Sequence, residues 1–129
     1  MAASFLDFVK TARPRQWVKN LTLYSALIFT GNVFSHAVFW RQFQIVSEAV
    51  LAFTAVAGAI YYFNDLIDTQ VDQAHPFKKK RPIAAGRIPR HVAWVIFIVG
   101  SAFGLGWSLS LSPLFFLIVL GYWLLQIMY

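Results

Sequence analysis

The chain has 129 residues, of which 59% are hydrophobic, 18% aromatic and only 12% charged, and its formal net charge is +6. That balance excludes an ordinary water-soluble fold and indicates a membrane protein. The absence of cysteine excludes disulfides, thiolate metal sites and cysteine nucleophiles, and the basic residues flank apolar runs as they do in membrane proteins, which argues against a nucleic-acid partner.

The N-terminal segment carries Asp7 and Pro14 ahead of the first long apolar run, with no small-residue cleavage motif soon after, so it is expected to stay on the mature chain. Four apolar windows follow, at about 18 to 35, 44 to 64, 91 to 109 and 112 to 129, each near the roughly 20 residues that a bilayer-crossing helix requires. The expected fold class is all-α, a polytopic transmembrane helix bundle of about four spans, with residues 1–129 forming one domain portion. Lys19, Asn20 and Thr22 stand in the opening turn of the first window, so that span is predicted to be tilted or interfacial. Ala55 and Ala59 in the second window, and Gly100 and Gly104 in the third, have the small-xxx-small spacing of close helix packing. Only Ser110, Leu111, Ser112 and Pro113 separate the third and fourth windows, which predicts a tight hairpin. The fourth window reaches Tyr129 without a polar tail, so the chain reads as part of a longer protein. The five tryptophans are predicted to anchor at headgroup level.

Lys10, Arg13, Arg15 and Lys19 precede the first window, Arg41 lies between the first and second, and Lys78, Lys79, Lys80, Arg81, Arg87 and Arg90 lie between the second and third. The positive-inside bias therefore puts the N-terminus and the loop of about 65–90 in the cytoplasm. That loop opens with Asn64-Asp65-Leu66-Ile67-Asp68-Thr69-Gln70-Val71-Asp72, which holds three of the five acidic residues. On a continued helix Asp65, Asp68 and Asp72 fall within an arc of roughly 60° and repel one another, so a counter-cation is expected. A hard divalent ion, Mg²⁺ bridging to phosphate oxygens, suits such a set. The bland alternative is a solvated helix end. His75-Pro76 should stop the helix; then Lys78 to Arg81 reverse the charge, and Pro82 to Arg87 supply small residues that let backbone approach a ligand. Part of the basic run is explained as a topology signal, but carboxylates for a metal beside cations for phosphate make a diphosphate-binding constellation.

Asn-Asp-x-x-Asp-x-x-x-Asp followed by His-Pro-x-Lys-x-x-Arg-Pro-Ile-Ala-x-Gly, as it stands from Asn64 to Gly86, closely resembles the first aspartate-rich motif of the UbiA-type polyprenyl transferase superfamily. The opening Arg13-Pro14-Arg15-Gln16-Trp17-Val18-Lys19-Asn20 is similar to that of the decaprenyl-phosphate phosphoribosyltransferase branch. The resemblance covers the N-terminal part of the family's nine-helix fold, in which a second aspartate-rich motif completes the metal site, so a C-terminal half or a second copy is an expected partner. It implies Mg²⁺-dependent transfer of a 5-phosphoribosyl group from phosphoribosyl diphosphate to a polyprenyl phosphate lipid at a bacterial inner membrane. It further implies that Asp65, Asp68 and Asp72 hold the metal as catalytic residues, that Lys78 and Arg81 clamp phosphate, that Asn64 orients a water or a ribose hydroxyl, and that Lys19 and Asn20 reach the substrate. Two alternatives stay open: transfer of an isoprenoid chain from its diphosphate to an aromatic or other acceptor, and a non-catalytic truncated paralogue or membrane subunit.

Overall fold

The computed structural model describes residues 3–31, 34 and 36–129, and every regular element among them is helical. Helix α1 (Phe5–Ala12) is started by Ser4, whose backbone N–H donates to Asp7 Oδ2 at 3.0 Å. Pro14, with φ preset for a first helical position, opens α2 (Pro14–Trp17). A 3₁₀ segment, Val18–Tyr24, and α3 (Ser25–Phe29) continue it. Then come α4 (His36–Ile67), α5 (Thr69–Ala74), a 3₁₀ turn over Lys78–Lys80, α6 (Arg90–Leu111) and α7 (Pro113–Met128).

Helices α4 and α6, of 32 and 22 residues, are long and apolar enough to cross a membrane. At ~1.5 Å per residue, α4 is about 48 Å long and exceeds a ~30 Å hydrocarbon core. Helix α7 is apolar but has 16 residues, about 24 Å. It follows α6 through the expected hairpin: Ser112 is extended, its Oγ accepts from the Phe115 N–H at 3.4 Å, and Pro113 begins the new helix. The first window differs from its expectation, because no single α-helix fills it. Its opening is 3₁₀, where the Thr22 hydroxyl donates back to the Lys19 carbonyl at 2.8 Å and competes with the helical ladder. Residues 32, 33 and 35, at its far end, lie outside the described residues.

Glycine sets how closely α4 and α6 approach. A Cβ on Gly104 would stand 2.5 Å from Val56 Cγ2 and 2.9 Å from the Ala52 carbonyl, and one on Gly100 would stand 3.1 Å from the Ala59 Cβ. The small-residue spacing seen in both windows is therefore one contact. Two of the tryptophans make hydrogen bonds within the protein. Trp123 Nε1 donates to Ser101 Oγ at 2.9 Å, joining α7 to α6, and Trp17 Nε1 donates to the Ala12 carbonyl at 2.8 Å. An indole N–H away from water needs such an acceptor.

From Pro82 the segment is a packed lid on the bundle, while Phe77 to Lys80 are exposed. Ile83 and Ile88 are buried in one cluster with Tyr62, Leu66 and Phe97, and Gly86, at φ +79°, makes the turn between them. Arg87 Nε donates to Asp7 Oδ1 at 3.0 Å and the Tyr62 hydroxyl donates to the Phe8 carbonyl at 2.7 Å, so α1 is fastened to both the lid and α4.

Candidate functional site

The polar end of α4 is built on a continuous backbone. Asp68 caps α5 with non-helical dihedrals (φ −84°, ψ 3°), yet its N–H still reaches the Asn64 carbonyl at 2.9 Å and its own carbonyl accepts from the Asp72 N–H at 2.8 Å. Thr69 Oγ1 donates to the carbonyls of Asp65 and Leu66 at 2.9 Å each, filling acceptors that the break would leave open. His75 turns extended before Pro76 and ends α5 as expected, with its Nδ1 accepting from the N–H groups of Phe77 and Lys78.

The three carboxylates do not converge on one point. Asp65 and Asp72 turn inward and are 2% and 1% exposed, whereas Asp68 is exposed. Arg81 stands between the inner two, its Nη1 2.9 Å from Asp72 Oδ2 and 3.3 Å from Asp65 Oδ1. Arg13, 52 residues upstream, donates from Nη2 to the same Asp65 Oδ1 at 2.7 Å. Among the described residues no group of three or more histidine, aspartate or glutamate side chains is gathered in a metal-binding arrangement. The repulsion expected of the aspartates is relieved by guanidinium groups, which match carboxylates as planar donors.

Arg13 is held from several sides. It alone among the described non-glycine residues has a positive φ, 54°, a left-handed conformation that a side chain adopts only where its surroundings impose it. Its guanidinium carbon lies 4.9 Å from the centre of the Tyr61 ring, a cation–π contact, while the following proline starts α2.

Beside this network opens a cavity of about 700 Å³ lined by Arg13, Asn64, Asp68, Lys78 and Arg81, with Phe63 and Ile67 from α4 and Gln126 to Tyr129 from the end of α7. Three cations thus face one exposed carboxylate, a surface suited to a polyanion. No buried side-chain nitrogen or oxygen among the described residues lacks a partner.

Of the residues singled out by sequence, Asn64, Asp68, Lys78 and Arg81 meet at the cavity, and Asp65 and Asp72 stand behind it through Arg81. Lys19 and Asn20 are not among its lining. Lys19 is exposed, and Asn20 is buried with its Nδ2 donating to Thr54 Oγ1 at 3.0 Å, a strut between the 3₁₀ segment and α4. Arg13 and the end of α7 carry the site without having been read as such. Arg13 could have been found from the demand of three carboxylates for cations besides Arg81, whereas nothing in the pattern of α7 distinguishes Gln126 from a polar residue at a helix end.

The UbiA prenyltransferase family matches residues 21–129. The chain is 34% identical over 121 residues to the protein named decaprenyl-phosphate phosphoribosyltransferase of Mycobacterium tuberculosis (strain ATCC 25618 / H37Rv), a match covering 94% of the chain and 40% of that relative. It is 38% identical over 101 residues to the protein of that name in Corynebacterium glutamicum, covering 78% and 30% respectively. At lower similarity, 27% over 95 residues, stands a protoheme IX farnesyltransferase of Legionella pneumophila (strain Corby). The chain spans about 40% of the length of the M. tuberculosis relative. The two apolar helices are accordingly those of an integral membrane protein, and the chain belongs to the UbiA prenyltransferase family.

Proposed function

We propose that the cavity at the end of α4 binds the diphosphate of phosphoribosyl diphosphate, and that the protein transfers the 5-phosphoribosyl group to a polyprenyl phosphate lipid. The observation that carries this reading is the lining of the cavity, where Arg13, Lys78 and Arg81 surround the exposed Asp68. The similarity to proteins named decaprenyl-phosphate phosphoribosyltransferase supports the choice of donor and acceptor.

In the reaction the bond from the anomeric carbon to the diphosphate oxygen breaks, and a phosphate oxygen of the lipid forms the new bond to that carbon. Negative charge grows on the departing diphosphate. Arg13, Arg81 and Lys78 stabilise it as preorganised donors, and their effect is strongest where water is scarce. Asn64, one helical turn before Asp68, orients a ribose hydroxyl. Asp65 and Asp72 position Arg81, and Asp65 also positions Arg13.

Mg²⁺ fits this donor set, because that ion is commonly held by one or two carboxylates together with substrate phosphates and needs no all-protein cage. Asp68, the carboxylate in the cavity lining, would hold it together with substrate phosphates, and when bound it would supply further charge neutralisation on the leaving group. The acceptor's long apolar tail explains why such a site is built on membrane helices. The distribution of basic residues supports placing the N-terminus and the 65–90 segment in the cytoplasm of a bacterial cell, at its inner membrane.

The test is a donor assay on membranes containing the protein. Phosphoribosyl diphosphate should be consumed, with release of diphosphate, only when Mg²⁺ and a polyprenyl phosphate are both present. Turnover confined to prenyl diphosphates would overturn the assignment in favour of isoprenoid transfer, a reading consistent with the farnesyltransferase similarity.

A further inference from the structure

We propose that α1 is a membrane-surface helix, whose outward face lies in the headgroup layer of the leaflet nearest the site and meets anionic phospholipids there. Either choice of donor at the site leaves this surface unchanged.

Helix α1 is turned inside out for a helix that faces water. At about 3.6 residues per turn, Phe5, Leu6 and Val9 fall within an arc of roughly 100°, and Asp7, Phe8 and Thr11 fall within an opposite one. The polar members of the second set point into the protein. Asp7 is 6% exposed and bound by Arg87, and Thr11 is 1% exposed with its hydroxyl donating to the Asp7 carbonyl at 2.9 Å. Phe8 packs on the core beside them, and its carbonyl accepts from Tyr62. On the outward side Phe5 is 80% and Leu6 64% exposed. Single exposed apolar side chains are common on any protein surface, whereas an outward apolar face set against a buried carboxylate marks contact with something other than water.

Length and charge assign that contact to the surface of a bilayer. The eight residues of α1 extend about 12 Å, far short of a ~30 Å hydrocarbon core. Lys10 is exposed at one edge of the apolar face, and Arg15 and Lys19 are exposed further along with Val18 and Leu21. Asp7, the one acid in residues 3–21, is withdrawn into its pair with Arg87, so the charge this segment presents outward is positive throughout. Apolar side chains beside lysine and arginine, with no exposed carboxylate among them, match the boundary between acyl chains and anionic headgroups. The helix ends at Arg13, whose N–H donates to the Lys10 carbonyl at 3.1 Å and whose guanidinium holds Asp65. Docking of α1 thus fixes against the membrane the segment that delivers Arg13 to the cavity.

The chain has no cysteine, so an introduced one is a unique attachment point for a nitroxide label. Leu6→Cys and, in a separate chain, Phe5→Cys are labelled and placed in nanodiscs of phosphatidylcholine, alone or mixed equally with phosphatidylglycerol. Collision of the label with oxygen, which concentrates in lipid, and with a water-soluble nickel chelate gives its depth; Lys79→Cys, at an exposed position in the lysine run, is the aqueous reference. Both α1 labels should lie about 5–10 Å deep in the mixed nanodiscs, and shallower in phosphatidylcholine alone. Replacing Lys10, Arg15 and Lys19 together by glutamine should abolish that difference. Nickel access equal to that at Lys79 would overturn the proposal, because α1 would then face water. Labels reached by neither reagent would overturn it too, since a second copy or a further protein segment would then cover α1, as would equal depth in the two lipids. Phe5 and Leu6 are surface positions whose replacement leaves the core intact, and each label repeats the measurement of the other.

Discussion

Arg81 is the residue on which the site's internal balance turns, and its replacement by glutamine has an effect that can be worked out in advance. Among the ion pairs of the described residues, Asp72 has Arg81 as its partner, whereas Asp65 keeps Arg13 when Arg81 is removed. The carboxylate of Asp72 is 2% exposed and the Arg81 side chain 29% exposed. Removing one partner of a fully buried pair costs ~3–5 kcal/mol, and exposed pairs are worth ~0–1 kcal/mol. With one group buried and the other part-wetted, Arg81→Gln should cost about 2–3 kcal/mol, because water can follow the shorter side chain toward Asp72. In the Asp72→Asn background the same change should cost about 1 kcal/mol, since the uncompensated charge is gone and only the contact with Asp65 is lost. The resulting coupling, about 1–2 kcal/mol, is measured by a double-mutant cycle on the chain in mixed micelles, following tryptophan fluorescence during denaturation. Additivity within ~0.5 kcal/mol would show that Arg81 and Asp72 do not act as a pair, and would refute the view that guanidinium groups neutralise these carboxylates.

Asp68→Asn should lower Mg²⁺-dependent turnover by about 100-fold or more yet leave stability within ~0.5 kcal/mol, because its side chain is exposed; donor assays and denaturation curves on one preparation check both halves. Gly104→Ala should cost about 1–3 kcal/mol, as its Cβ would meet the Ala52 carbonyl at 2.9 Å across the α4–α6 contact, while Gly106→Ala, with nothing within 4 Å, should be neutral or stabilising by up to ~1 kcal/mol in the same measurement. The Asp7 carboxyl is held below its ordinary value of 3.8 by the Ser4 N–H and, against some loss of hydration, by Arg87. A group whose pKa is depressed by folding contributes stability that is complete above its unfolded value and disappears as pH falls through its folded one. Asp7→Asn should therefore destabilise the attachment of α1 at neutral pH, with native and variant converging below pH 3.8, as read by proteolysis of the N-terminal segment across pH.

What the sequence disclosed and what it hid divide along the distance over which each interaction acts. The α4, α6 and α7 helices follow from hydrophobic run length, and the α6–α7 turn from Ser112-Pro113, because capping and φ restriction operate within a few residues. The end of α5 at His75-Pro76 is local for the same reason. The first window misled because apolar content fixes where a segment resides but not how its backbone bonds. Its polar side chains, Asn20 to Thr54 and Tyr24 to Ser47, bind it to α4 across 34 and 23 residues.

The site shows the same division more sharply. Spacing alone placed Asp65, Asp68 and Asp72 on one arc, but side-chain direction within that arc is decided by the cation each can reach. Arg81, nine residues beyond Asp72, and Arg13, 52 residues before Asp65, draw two carboxylates inward and leave the third facing the cavity. Two features that hold Arg13 there are non-local, the Asp65 oxygen and the Tyr61 ring, whereas its left-handed backbone is the local C-cap of α1, its N–H on the Lys10 carbonyl. The basic residues ahead of the first window therefore have separate duties. Arg15 and Lys19 are exposed, while Arg13 is committed to Asp65 at the cavity. A charge count along the chain cannot separate these duties, because it weighs every arginine alike; what separates them is the presence of an acid within reach in the folded protein.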